Sequence, residues 1–140
     1  MRSRVTAPYA GSDREIDELE GVLVRPAEIV VELRSAAYGY AAVVALHGEH
    51  DLATSSELAL VLSSVSGSVL VDLSACLFID CTVIRVLLDE TRSRARDGHR
   101  LALVVPPTNG PVRRVAEIIG LPALIPIVER TAIAAALSPD

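Results

Sequence analysis

"VLVDLSACLFIDCTVIRVLL", residues 69–88, is the stretch on which the fold turns. Its opening, within Ser68 to Ser74, is an apolar, β-branched run too short for a helix and suited to a buried strand. From Cys81 the period changes. Ile84, Leu87, Leu88, Thr91 and Ala95 recur on one helical face, Arg85, Asp89, Arg92 and Arg96 on another, and Gly98 closes the segment. Between strand and helix lies "LFIDCTVI", Leu77 to Ile84, with Asp80 at the transition. An aspartate there is expected to cap the helix by accepting from the free N–H groups of its first turn. Cys81 and Thr82 then occupy that turn, where unpaired N–H groups and the positive end of the helix dipole favour an anion.

Working outward, "EIVVELRSAAYGYAAVVALHGEHD", residues 28–51, reads as two strands around a turn near Tyr38–Gly39, the second running from Ala41 to Leu46. In "TSSELALVLSSV" Thr54 and Glu57 have the spacing of a capping box, and Leu58, Val61, Leu62 and Val65 recur at helical spacing until Gly67. "RLALVV", residues 100–105, predicts a buried strand stopped by Pro106 and Pro107. "GPVRRVAEIIG" predicts a short helix with Pro111 in its first turn. "LIPIV" reads as a weak edge strand, because Pro126 lacks a ladder donor, and "ERTAIAAALS" as a closing helix. The order ββαβαβαβα implies an α/β fold. Its sheet is mixed and mainly parallel, with an N-terminal antiparallel hairpin and helices mostly on one face.

The 140 residues suit one domain, expected over 27–140. Residues 1–26 read as a flexible acidic N-terminal tail carrying Asp13, Glu15, Asp17, Glu18 and Glu20; within it Ile16, Leu19 and Val22 could form one helical turn or pair against the domain. The chain is 51% hydrophobic but has no Trp, one Phe and three Tyr, so the core must be aliphatic. A formal charge of −5 gives no footprint for direct nucleic-acid binding and no attraction to anionic lipid. No apolar run approaches the roughly 18–20 residues of a bilayer span, and the N-terminus lacks the apolar middle of a signal peptide, so the expectation is a cytoplasmic protein without membrane insertion.

No nucleophile and base arrangement, GxGxxG or P-loop is visible, so no enzyme activity, cofactor or metal is expected. His47 and His50 flank "GE" next to Asp51; they fall on opposite faces of an extended strand with no further ligand nearby, and are expected as exposed loop histidines. Asp51 reads as a spare carboxylate, since Thr54 already caps. Arg92, Arg94, Arg96 and Arg100 alternate with Asp89, Glu90 and Asp97, as on a solvated helix face, and His99 is expected at the surface. Cys76 is expected to pack in the core. A Cys76–Cys81 disulfide is disfavoured by the short strand-to-helix loop that it would close.

These motifs resemble, in order, those of STAS domains of the anti-sigma factor antagonist family. "GEHD" (Gly48–Asp51), "DLS" (Asp72–Ser74) and "FIDCTV" (Phe78–Val83) stand where such proteins carry G-E-x-D, D-L-S and an F-x-D-S-[ST]-G-like turn. The likeness covers about Ile29 to Leu137. It implies a non-enzymatic switch that sequesters an anti-sigma factor with a serine kinase-like fold and so releases a sigma factor. Partner binding is then centred on Glu49, Asp51, Asp80, Cys81, Thr82, Val83 and Arg85. The alternatives are a cytoplasmic STAS subunit of an ABC-type phospholipid transport complex and a small-ligand-binding STAS domain. A homodimer is left open.

The chain departs from the family at the residue after Asp80. Cys81 replaces the usual phospho-acceptor serine, and Val83 stands where Gly is typical, so that a branched side chain would obstruct close backbone approach. Three readings follow, in order: binding without phospho-control, phosphorylation at Thr82 instead, and a redox switch at Cys81.

Overall fold

The computed structural model describes residues 27–33, 39–105 and 110–129, together with the backbone of 2–6. Its elements are β1 (Arg2–Thr6), β2 (Glu28–Leu33), β3 (Ala42–His50), α1 (Leu52–Ser64), β4 (Val69–Asp72), β5 (Cys76–Ile79), α2 (Cys81–Arg96), β6 (Leu101–Val104), α3 (Gly110–Ile118), a 3-10 turn at Leu121–Ala123 and β7 (Ile127–Val128). The sheet runs β1-β2-β3-β4-β6-β7, with β5 alongside the far end of β3. The β1–β2 and β2–β3 pairs are antiparallel, whereas the β3–β4, β3–β5, β4–β6 and β6–β7 pairs are parallel. This is the mixed, mainly parallel sheet expected from the sequence. Two strands, β1 and β5, are additional to the expected order. Residues 34–38, including Tyr38 of the expected turn, Pro106, Pro107, the segment with Ile16, Leu19 and Val22, and the expected closing helix beyond Glu129 lie outside the described residues.

Alternation along the strands separates two buried layers. Ala42, Val44 and Leu46 of β3, Val69 and Val71 of β4 and Leu101 and Leu103 of β6 meet Leu58, Val61 and Leu62 of α1, Val83, Ile84 and Leu87 of α2, and Val112 and Ala116 of α3. All three described helices therefore cover one face. The opposite phase, Val43, Leu70, Ala102 and Val104, forms a second small cluster with Tyr40.

Helix α1 begins earlier than the sequence suggested, and its cap differs. Asp51 rather than Thr54 is the N-cap: its Oδ1 accepts from Ala53 N–H at 3.0 Å, while the Thr54 hydroxyl accepts from Asp51 N–H at 3.1 Å. Thr54 is thus the third helical residue and fully buried, so the expected Thr54–Glu57 box gives way to an Asp51–Thr54 box.

The expected solvated arginine face also needs correction. Arg94 is buried, at 5% exposure. Its guanidinium donates to the carbonyls of Leu62, Val65 and Gly67, at and beyond the end of α1, and lies 3.3 Å from Glu90 Oε1. The last carbonyls of a helix lack the usual partner one turn on; Leu62 C=O takes the Val65 N–H at 3.2 Å, and a long cation from α2 serves it together with the carbonyls of Val65 and Gly67. Arg92, Arg96 and Arg100 are exposed, as is His99.

Candidate functional site: the paired helix starts

The site forms where β3 and β5 run out side by side. Gly48 has φ +83, a conformation that side-chain-bearing residues rarely adopt, and the β3–β5 register shifts between Gly48 and Glu49. Gly48 pairs with Cys76, Glu49 with Phe78 and His50 with Ile79. The residue skipped in this bulge is Leu77 of β5; β3 then ends directly at Asp51, the cap of α1, and β5 directly at Asp80, the cap of α2. The "DLS" turn feeds β5: Asp72 Oδ1 accepts from the Ser74 amide at 2.9 Å and its hydroxyl at 2.5 Å, and Cys76 N–H donates to Leu73 C=O at 3.1 Å.

Asp80 caps α2 as expected. One carboxylate oxygen accepts from Thr82 N–H at 3.0 Å, Val83 N–H at 3.1 Å and the Thr82 hydroxyl at 2.5 Å. Burial alone raises the Asp80 pKa. The Thr82 hydroxyl and the backbone N–H groups of Val83, Thr82 and Leu52 outweigh it and hold the carboxyl below its ordinary value. Since Leu52 is the first residue of α1, this carboxylate is stabilised by both helix starts.

Around this junction Glu49, Cys81 and Arg85 are exposed, and Asp51, Asp80 and Thr82 are half-buried. Val83 is not part of the surface. Its side chain is fully buried in the core, so it offers a partner no contact and projects no bulk outward. Leu52, Leu77 and Phe78 are exposed apolar side chains beside these residues. Sequence reasoning passed over them because each neighbours core positions; Leu77 and Phe78 are both exposed in β5, where the register with β3 skips Leu77.

Both cysteines are free thiols. Cys76 is core, 1% exposed, its thiol donating to Phe78 C=O at 3.3 Å and its pKa pushed by burial up to about 11, whereas Cys81 is exposed. His50 corrects the expectation of exposed loop histidines: it is fully buried, with Nε2–H donating to His47 C=O at 2.9 Å. Alternation from Val44 and Leu46 carries the inward face to residue 50 once the strand is extended that far. His47 is partly exposed, 3.9 Å from Glu28. Among the described residues no group of three or more His, Cys, Asp or Glu side chains could hold a metal ion, and no helix is long and apolar enough to cross a membrane.

A protein-family model described as "Mlab, STAS domain" matches residues 18–128. Among solved structures, an anti-sigma factor antagonist from Mycobacterium paratuberculosis is 22% identical, the match covering 83% of this chain and 100% of that one with a TM-score of 0.65. The Bacillus cell fate determinant SpoIIAA in its phosphorylated form is 16% identical, with 77% and 99% covered and a TM-score of 0.55. At these identities the likeness is one of fold. No curated protein matches the sequence.

Proposed function

The chain belongs to the STAS-domain family, and from that premise we propose that it is a regulatory binding protein that sequesters a kinase-like anti-sigma factor and so releases a sigma factor. The observation that carries this reading is the junction at Asp80. Two helix starts, the "GEHD" bulge and the exposed Glu49, Cys81 and Arg85 are gathered on one end of the sheet. Exposed Leu52, Leu77 and Phe78 add apolar area beside charged groups, the mixture that protein interfaces use. The fold likeness to anti-sigma factor antagonists supports the same partner class. Proteins of this family are generally binding modules, and the junction holds a cap rather than an activated nucleophile.

Binding here is independent of phosphorylation. The residue after Asp80 is a cysteine, which a serine kinase does not phosphorylate, and the hydroxyl of Thr82 is committed to Asp80. Affinity purification from the native host tests the partner: a kinase-like anti-sigma factor is expected, whereas an ATPase with its permease would overturn the reading in favour of a transport subunit. Incubating the recovered kinase with ATP and the protein is expected to leave it unmodified. A phosphate on wild type that disappears in Thr82→Ala would replace constitutive binding with control at Thr82.

A further inference from the structure

Beneath the bulge sits a titratable ring for which partner binding has no use. His50 ends β3, fully buried, and its Nε2–H reaches back to the carbonyl of His47, so the ring spans the Gly48–Glu49 register shift from inside. Its Nδ1 is buried without a hydrogen-bond partner. The neutral ring satisfies this geometry with one donor, whereas an imidazolium carries N–H on both nitrogens and a full charge.

We propose that His50 is a proton-sensitive staple: neutral, it holds the β3–β5 bulge at Gly48–Glu49 closed; protonated, it loosens the bulge and the face built on it. The groups around the ring do not remove the cost of charging it. On its own strand stand His47, which opposes a second positive charge, and the adjoining cap Asp51, which favours one. From β2 comes Glu28, whose backbone lies beside the ring and whose carboxylate is directed to His47 at 3.9 Å. β5 pairs Ile79 with His50 and carries no charged side chain. Burial is the largest influence on the ring. It outweighs the help from the His47 and Glu28 backbone and from Asp51, and lowers the pKa below the ordinary 6.5.

The direction of the effect follows. A group whose folded-state pKa is depressed leaves the closed bulge at full stability above about 6.5 and weakens it as pH falls from there toward the folded-state value. Between those two values, each unit of acidification raises the open population about tenfold.

Hydrogen exchange of the full chain, followed from pH 7.5 to 5 and corrected for the intrinsic pH dependence of exchange, reads this directly. Protection of Gly48–Leu52 and Cys76–Asp80 is expected to fall as pH drops below about 6.5, by at most about tenfold per unit, in wild type and in His47→Gln, and to stay level in His50→Gln. A level wild-type profile, or an unchanged slope in His50→Gln, would overturn the proposal. Should His50→Gln fail to fold, ring titration of wild type by NMR decides: His50 titrating at or above 6.5 overturns the proposal, and titration below 6.5 sustains it. Neither readout uses a partner, so the staple is tested apart from the proposed anti-sigma binding; only its regulatory consequence rests on that reading.

Discussion

The Thr82 hydroxyl donates to Oδ1 of Asp80 at 2.5 Å, and the same oxygen accepts the amides of Thr82 and Val83. A single carboxylate oxygen thus serves most of the first turn of α2, and the hydroxyl closest to the missing serine's place is spent on structure.

Asp80→Ala is expected to lower the free energy of unfolding by about 1–2 kcal/mol, as for other N-cap deletions, and Asp80→Asn by less. Urea titration measures both. Because the folded-state pKa of Asp80 lies below its ordinary 3.8, the contribution of its charge is complete above that value and is lost as pH falls through the folded-state pKa. The gap between wild type and Asp80→Asn should therefore close in acid.

Removing the Arg94 side chain takes from Glu90 its cation and from the carbonyls of Leu62, Val65 and Gly67 a donor, leaving Leu62 only the Val65 N–H. Arg94→Ala is expected to cost about 3 kcal/mol. Arg94→Lys should recover only part of this, since a single ammonium cannot repeat the planar fork that reaches Leu62, Val65 and Gly67. Thermal and urea unfolding of both variants check the order.

The two thiols should differ sharply in reactivity. Cys81 is exposed, while Cys76 is 1% exposed with its pKa pushed up to about 11. A thiol reagent at neutral pH is expected to modify one cysteine quickly, identified as Cys81 by peptide mapping, and the second only on addition of denaturant.

Gly48→Ala places a Cβ on a residue with φ +83 and is expected to cost about 1–2 kcal/mol. Alanine substitution at Gly110, a site of ordinary φ where an added Cβ would meet no atom within 4 Å, is the comparison. A loss at Gly48 no larger than at Gly110 would sink the bulge's claim to need glycine.

Much of the fold was legible because it rests on local periodicity. The change of period at Cys81, the Asp80 cap and the apolar runs at 69–71 and 101–104 all survive in the structure. What escaped depends on partners distant in sequence. Arg94 looks like any other exposed arginine until α1 is laid beside α2, and the carbonyls that bury it are 27 to 32 residues away. His50 looks like a loop residue until β3 is seen to continue past a glycine bulge. Asp51 and Thr54 exchanged roles because both can cap, and only backbone geometry separates an N-cap from the third residue of a helix.

Helix α1 is gripped by α2 at both extremities, through Asp80 at its start and Arg94 at its finish. The two helices therefore behave as a single plate. A protein bound over either helix start therefore bears on both helices at once.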